Sequence, residues 1–153
     1  MARLKMAPRL GQALPWIVTY GDQVVGQITI GPIVWSSLRS GQVGAWIDEP
    51  FARQRITGTA MAMAVDYCFQ VAGLHRLEAL IRPENVPSRR GVEKYGWREE
   101  GVKVRHVHID GAWQDHVCYA ITAEELPDGA MARRLRLRSA STCLVTEEAE
   151  SRS

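Results

Sequence analysis

Two helix-like segments interrupt a chain that otherwise consists of strand-like runs, and this order restricts the fold more than any other feature. The first segment, residues 58–72, is rich in Ala, Met and Val with few charges, which favours a largely buried helix. The second begins after Asn85, a good N-cap residue, and ends at Gly96. A helix that connects neighbouring strands of one sheet makes those strands parallel. The sequence therefore predicts a mixed α/β domain.

The remaining segments have the composition of β-strands. Asp110-Gly111 separates the last two of them and favours a tight hairpin turn. The predicted order is β-β-β-α-β-α-β-β, which belongs to the α/β (α+β) class with a mixed sheet. The predicted strands cover residues 14–20, 24–30, 41–48, 75–82, 97–109 and 113–122.

The composition is that of one globular domain. The chain has 153 residues, 46% of them hydrophobic and 24% charged, which excludes a disordered chain and a coiled coil. No apolar run approaches the ~20 residues of a membrane span, and no secretory signal follows the basic start, so we expect a cytoplasmic protein. Three widely spaced cysteines exclude a disulfide framework. We assign residues 11–126 to the domain and 127–153 to a flexible tail, first basic and then acidic.

The loop before the first helix has the features of an anion site. It carries Arg53, Gln54 and Arg55 and opens the helix near Gly58. Helix N-termini present unpaired N–H groups and a positive dipole, to which phosphate groups bind. The alternative interpretation is a solvated basic turn before an ordinary helix.

Four ordered motifs point to one family. They are Leu-His-Arg-Leu-Glu-Ala at 74–79, Pro-Glu-Asn-x-x-Ser at 83–88, Glu-Lys-Tyr-Gly-Trp-Arg-Glu-Glu-Gly at 93–101, and Asp-Gly-x-Trp-x-Asp-His at 110–116. Across residues 14–125 the chain resembles the GNAT superfamily of acetyl-CoA-dependent N-acetyltransferases. Within it, the chain is similar to the RimJ/RimL branch, which acetylates the N-termini of ribosomal proteins.

The resemblance implies a binding site for acetyl-CoA. The strands matching 42–48 and 75–82 splay apart in relatives, the pantetheine arm lies in the gap, and the pyrophosphate rests on amides at the start of the central helix. On this basis, the residues expected to bind acetyl-CoA are Ile47, Arg53, Gln54, Arg55, Ile56, Thr57, Gly58, Thr59, Asn85, Ser88 and Lys94.

The phosphate loop departs from the family pattern. Arg53 and Arg55 stand where relatives have glycines, while an Arg-x-x-Gly-x-Ala pattern at Arg55, Gly58 and Ala60 lies three residues late. Either the loop has shifted to use Gly58, or the arginine side chains crowd the diphosphate. Arginine could also help, by forked hydrogen bonds to phosphate.

The resemblance gives one catalytic residue and leaves the general base open. Ser88 matches the serine that RimL-like enzymes place beside the leaving thiolate. At two positions relatives use a glutamate as the general base, and both positions are apolar here, Leu80 and Val107. Glu78 shares a strand face with Leu80, so we predict that it acts as the base through a water molecule. The alternative interpretation is that Glu78 pairs with an arginine.

His106 and His108 are alternative bases beside Val107 and also a candidate metal pair. Across a two-residue turn, His106 would face Asp115 and His108 would face Trp113. Because no fourth ligand is evident and the family uses no metal, we predict no metal site.

Only residues 1–13 precede the first predicted strand, whereas family members have a further strand and two helices there. We therefore expect an N-terminally truncated domain in which the strand over 14–20 is an exposed edge. Such an edge favours a homodimer.

The expected function is transfer of acetyl from acetyl-CoA to a primary amine, such as the N-terminal α-amine of a ribosomal protein. The alternative is a non-catalytic remnant that binds CoA weakly or acts as a protein- or ribosome-interaction module. The arginines of 129–138 also suggest contact with RNA or the ribosome surface.

Overall fold

A computed structural model describes residues 2–6, 12–52 and 54–137, and within them the chain forms one seven-stranded sheet with three helices. The strands are β1 (Ala2–Met6), β2 (Leu14–Tyr20), β3 (Gln23–Val34), β4 (Ser40–Ile47), β5 (Arg76–Ile81), β6 (Arg98–Ile109) and β7 (Ala112–Thr122). The helices are α1 (Ile56–Asp66), which a π-helical turn continues over Tyr67–Val71, α2 (Val86–Lys94) and α3 (130–137). Short 3-10 turns cover Glu49–Phe51 and Ala123–Glu125.

The sheet order is β1-β2-β3-β4-β5-β7-β6. Among the described strands, only β4 and β5 pair in parallel, and α1 is the crossover between them. All other neighbouring strands are antiparallel. The mixed α/β class is confirmed, and so is the parallel pair on either side of the first helix.

The N-terminal edge of the sheet differs from the prediction. Residues 2–6 pair in antiparallel fashion with β2 from Ala2↔Tyr20 to Met6↔Trp16. The expectation that residues 14–20 form an exposed edge was therefore wrong, because this short segment supplies enough backbone groups to cover β2. The edges of the described sheet are β1 and β6.

The core lies between α1 and one face of the sheet. The side of α1 that is buried carries small residues such as Ala60 and Ala64, which allow close approach to the strands. The sheet contributes large side chains from its centre, among them Ile28, Leu77 and Tyr119, each at most 1% exposed. Burial of such side chains stabilises the fold by roughly 1.5–3 kcal/mol each.

Tyr119 also holds α2 in place. Its hydroxyl accepts a hydrogen bond from Arg89 Nε at 3.0 Å and donates to Glu93 Oε1 at 2.7 Å, so one buried strand residue contacts two points of the helix. The pKa of Tyr119 is raised, chiefly by burial, which keeps the hydroxyl protonated and able to donate.

The C-terminal segment contains a helix that the sequence analysis did not predict. Residues 127–153 were assigned to a flexible tail, but 130–137 form α3. The Asp66 carboxylate accepts from the backbone N–H groups of Ala130 at 2.6 Å and Met131 at 3.1 Å, which caps α3 from a distant part of the chain. Arg138 and the acidic end of the predicted tail lie outside the described residues.

Candidate functional site

The parallel strands β4 and β5 separate after a short paired stretch. Their register runs from Ser40↔Arg76 to Val43↔Ala79, whereas β4 continues to Ile47 and β5 to Ile81. Beyond that point the two strands present backbone groups to a gap and not to each other. Unpaired backbone donors and acceptors in a gap are ready partners for an extended ligand.

The gap opens into a cleft of about 660 Å³ between the sheet and the helices. The walls come from β4, β5, α1 and α2, with smaller contributions from β7 and α3. The splayed strands therefore bring two helix N-termini and a strand gap to one cavity. Of the residues predicted to bind acetyl-CoA, those that line the cleft are Ile47, Thr57, Gly58, Asn85 and Ser88.

The N-terminus of α1 forms one end of this cleft. Arg55, the N-cap residue, adopts a left-handed conformation with φ of 62°, and its side chain does not cap the helix. The Thr57 side-chain oxygen is buried, yet it has no hydrogen-bond partner within the described part of the chain. An unsatisfied hydroxyl beside the free N–H groups of a first helical turn fits an anionic ligand.

Arg134 brings a buried positive charge to the same end. This α3 residue is 4% exposed. Its guanidinium donates to Arg55 O at 2.8 Å, to Thr59 Oγ1 at 3.1 Å and to the Tyr95 hydroxyl. It also lies 5.3 Å from the centre of the Tyr95 ring. No carboxylate of the described residues forms an ion pair with it, so the charge is balanced only by neutral oxygens and a ring.

The N-terminus of α2 forms another wall. Asn85 Oδ1 accepts from the Ser88 backbone N–H at 3.3 Å, which confirms Asn85 as the N-cap. Both side chains line the cleft, and both residues are exposed to it or to solvent. Ser88 therefore lies at the cavity surface.

His116 is a cleft residue that the sequence analysis did not single out. It lies on β7, is 5% exposed, and shares the cleft with Leu80 and Ile81 of β5. Its Nδ1 is 3.2 Å from the backbone oxygen of Gln114. His116 and Arg134 are the two polar or charged side chains in the buried set of the described residues.

Glu78 is placed in an ion-pair network instead. Its Oε1 accepts from Arg76 Nη2 at 2.9 Å and its Oε2 accepts from Lys103 Nζ at 3.2 Å, and it does not line the cleft. Partial burial alone would raise the pKa of Glu78, but the hydrogen bonds and charges of Arg76 and Lys103 outweigh it and hold the pKa below its ordinary value. A carboxylate held in this way is a weak proton acceptor.

The remaining predicted ligands lie away from the cleft lining. Gln54 donates to Pro50 O at 2.9 Å, and Ile56 is buried in the core at 4% exposure. The Thr59 hydroxyl donates to Arg55 O at 3.0 Å, and both of these oxygens accept hydrogen bonds from Arg134. Thr59 and Arg55 therefore help to hold Arg134 at the α1 N-terminus. Lys94 ends α2 without lining the cleft. Arg53 lies outside the described residues.

His106 and His108 of the β6–β7 hairpin contact different neighbours. His108 pairs with Trp113 as predicted, with ring centres 5.3 Å apart. The ladder is interrupted between Lys103 and Val107, so His106 does not pair with Asp115, and its ring contacts the His116 ring at 6.3 Å.

Asp115 Oδ1 accepts from the Arg105 backbone N–H at 2.7 Å, in the interrupted part of the ladder. Residues 2–6, 12–52 and 54–137 contain no group of three or more His, Cys, Asp or Glu placed to hold a metal ion. In the same ranges, no helix is long and apolar enough to cross a membrane.

Comparisons with known proteins agree with this geometry. Residues 2–98 match the family model described as an acetyltransferase (GNAT) domain. YjcK of Bacillus subtilis (strain 168) is 34% identical over 100 residues, which are 65% of this chain and 55% of YjcK. The ribosomal protein uS5-alanine N-acetyltransferase of Escherichia coli (strain K12) is 25% identical over 107 residues, 70% of this chain and 55% of that protein. The chain thus spans about half the length of the curated relatives it matches.

Two solved structures are similar over most of the chain. Mycobacterium smegmatis RimJ in complex with CoA-disulfide has a TM-score of 0.79 at 44% identity, covering 82% of this chain and 60% of RimJ. The ribosomal-protein-S5-alanine acetyltransferase of Vibrio fischeri has a TM-score of 0.69 at 25% identity, covering 72% of this chain and 62% of that protein.

Proposed function

Because the chain belongs to the GNAT acetyltransferase family, we propose that it transfers an acetyl group from acetyl-CoA to a primary amine. The observation that carries the proposal is the gap between β4 and β5, which opens into a cleft with the α1 N-terminus at one end. The likeness to RimJ, whose structure contains CoA-disulfide, supports a CoA ligand for this cleft.

The cleft offers a partner for each part of acetyl-CoA. The backbone groups of β4 from residue 44 onward face the gap and fit the amides of an extended pantetheine arm. The first turn of α1, where the Thr57 hydroxyl has no partner among the described residues and the buried Arg134 guanidinium packs against Gly58, fits the diphosphate. Asn85 and Ser88 would then lie at the thioester end, where the Ser88 hydroxyl can protonate the departing thiolate.

The conformation of Arg55 and the position of Gly58 bear on how the loop before α1 could accept the diphosphate. Arg55 takes the left-handed conformation that a glycine adopts without penalty, and its carbonyl accepts from Arg134. Gly58 lines the cleft in the first turn of α1. This supports the alternative in which the loop uses Gly58.

The acceptor that we propose is the α-amine of a protein N-terminus. The names of the Escherichia coli and Vibrio fischeri relatives state that those proteins acetylate alanine of a ribosomal protein. Contact with RNA through residues 129–138 is a weaker proposal, since Arg134 is buried and Arg136 pairs with Asp128 at 3.0 Å. A homodimer through a sheet edge also stays a prediction.

A substitution inside the cleft tests the function with little effect on folding. Gly91 lines the cleft from α2, and a Cβ placed there meets nothing within 4 Å. Gly91→Phe should fill the cleft, while the larger residue favours the helix. Arg90→Phe, one position away and outside the cleft lining, is the matched control.

We expect the wild-type chain to bind acetyl-CoA in calorimetry and to release CoA thiol with peptides that differ in their N-terminal residue. Gly91→Phe should lose both activities, and Arg90→Phe should keep both. Binding without transfer to any peptide would support the non-catalytic alternative. No binding by the wild-type chain would overturn the proposal.

A further inference from the structure

The chemistry proposed for this cleft needs a proton acceptor that the predicted candidates do not provide. An amine attacks a thioester only after its ammonium form has lost a proton. Leu80 and Val107 carry no titratable group. Glu78 already accepts hydrogen bonds from Arg76 and Lys103 and lies outside the cleft lining. His106 and His108, the other predicted candidates, do not line the cleft either, so the base must come from another residue that reaches the cavity.

His116 meets the positional requirement. It is 5% exposed and lines the cleft together with Leu80, Ile81 and Ser88. Strand β7 pairs with β5 from Arg76↔Thr122 to Ile81↔Val117, so His116 follows directly beyond the end of this ladder, where β5 leaves the sheet. His116 therefore lies beside the end of β5 that lines the cleft.

The hydrogen bond of His116 fixes which nitrogen is available. A backbone carbonyl only accepts hydrogen bonds, so the Nδ1 that contacts Gln114 O at 3.2 Å carries the proton. In the neutral ring, Nε2 is then the nitrogen with the lone pair. This arrangement, one nitrogen held by the backbone and the other open as an acceptor, is that of an oriented base.

The His116 ring forms no ion pair among the described residues. His116 pairs with Lys103 in the β6–β7 ladder, but the Lys103 ammonium binds Glu78 Oε2. The His116 ring contacts that of His106, at 6.3 Å between centres in an edge arrangement. Among the described residues, no carboxylate forms a salt bridge with His116.

We propose that His116 is the general base, taking a proton from the incoming ammonium group at Nε2. The inference rests on the proposed acetyl transfer. The freed amine nitrogen attacks the thioester carbonyl carbon, a C–N bond forms and the C–S bond breaks. The second amine proton goes to the leaving thiolate through the Ser88 hydroxyl, and the amide keeps the third. His116 returns its proton to solvent, so atoms and charges balance.

Two variants separate a base from a structural residue. His116→Asn keeps an amide donor for Gln114 O but has no group that takes up a proton. His116→Ala leaves a space that imidazole added to the buffer can enter. His75→Ala, just before β5 and outside the cleft lining, is the control. The readouts are kcat with the best peptide of the panel, and the Kd for acetyl-CoA by calorimetry.

We expect both His116 variants to lower kcat by about 100-fold or more, the usual contribution of a general base. The Kd for acetyl-CoA should stay within about twofold, because the ring does not contribute to the diphosphate end. Imidazole should restore at least about tenfold of the lost rate in His116→Ala and none in His116→Asn, whose side chain fills the space.

Three outcomes would overturn the assignment: a His116→Asn variant with nearly wild-type kcat, a rate loss matched by loss of acetyl-CoA binding, or no rescue of His116→Ala by imidazole. A wild-type chain that binds acetyl-CoA without acetylating any peptide would instead overturn the proposed transfer, and the base with it. An active wild type with active variants removes only the role of His116.

Discussion

The two buried polar side chains of the described residues are used in opposite ways: His116 lines the cleft, whereas Arg134 packs behind the lining, against Gly58 at the α1 N-terminus. At the α1–α3 end, Arg134 donates to three protein oxygens and stacks near a ring. At the β5–β7 end, His116 makes one hydrogen bond to a backbone carbonyl. The first residue is fixed by many contacts, which suits binding of a constant charge. The second keeps a nitrogen available, which suits proton transfer.

This contrast implies that the affinity for acetyl-CoA and the rate of acetyl transfer can be changed separately. Substitutions at the α1–α3 end should alter protein stability and the Kd for acetyl-CoA. Substitutions at the β5–β7 end should alter kcat at constant Kd, as the His116 experiment requires.

The largest effect on stability is expected for Arg134→Met. Methionine keeps much of the apolar volume but removes the Arg134 hydrogen bonds to Thr59 Oγ1 and the Tyr95 hydroxyl, and one of the hydrogen bonds that Arg55 O accepts. We expect a loss of about 3 kcal/mol in the free energy of unfolding, measured by urea denaturation. The Kd for acetyl-CoA should rise about tenfold, or 1.4 kcal/mol.

The control for this prediction is Arg136→Met, on the exposed side of the same helix, where the ion pair with Asp128 is open to solvent. It should change the unfolding free energy by less than about 1 kcal/mol. Unchanged affinity for acetyl-CoA in a folded Arg134→Met protein would show that the α1–α3 end is structural only.

A smaller effect is expected for Asp66→Ala, which removes the cap of α3. Both carboxylate oxygens accept from backbone N–H groups, those of Ala130 and Met131. Loss of such a cap typically costs about 1 kcal/mol and up to about 2. Because α3 carries Arg134, the Kd for acetyl-CoA should rise while kcat stays constant.

Asp128→Ala is the matched control, since its carboxylate pairs with the exposed Arg136 only in the part of the chain that the structure describes. Thermal unfolding of both variants gives the comparison. If Asp66→Ala lowered kcat and left the Kd unchanged, the two ends would not be independent.

The next prediction concerns the base inferred from the sequence. Glu78→Gln should keep kcat within about threefold of wild type, because the carboxylate already binds Arg76 and Lys103. The free energy of unfolding should fall by about 1 kcal/mol, since the network is partly exposed. A drop in kcat of about 100-fold would restore Glu78 as the base and contradict the role of His116.

The sequence predicted the architecture well because its signals are local. Asn85 and Gly96 mark the ends of α2, and Asp110-Gly111 marks the β6–β7 turn, through the conformations that these residues favour. The parallel β4–β5 pair followed from the helix between them. These features depend on neighbours in sequence, which a single chain displays.

The site was predicted less completely because its residues depend on distant contacts. Arg134 belongs to a basic stretch, and only its packing against the α1 N-terminus, 75 residues away in sequence at Thr59, distinguishes it from a solvated arginine. His116 appeared in a motif, but its burial and tautomer depend on β5, β6 and its own strand. Glu78 shows the converse: Arg76, two residues before it on the same strand, is a partner that the sequence could suggest, whereas Lys103 belongs to β6 and is brought to Glu78 by the fold.

The smallest effect is expected for Glu100, which lies outside both ends of the cleft. Hydrogen bonds from Arg76, followed by those from Arg98, lower the pKa of Glu100 from its ordinary 4.5 to about 2. A carboxyl with a lowered folded-state pKa stabilises the fold above its unfolded pKa, and this stability is lost as the pH falls toward the folded pKa. The loss should therefore occur between about pH 4.5 and 2.

Glu100→Gln tests this contribution of Glu100 to stability. The side chain is 29% exposed, so the contribution should be about 1 kcal/mol at pH 7, well below what the pKa shift alone would give. Urea denaturation at pH 7 and pH 3 should show a smaller difference between the two pH values for the variant than for wild type. Both kcat and the Kd for acetyl-CoA should match wild type at neutral pH. A change in kcat or in the Kd would mean that the Glu100 ion-pair network affects the cleft. The effects of the Arg134 and Asp66 variants could then not be assigned to the α1–α3 end alone.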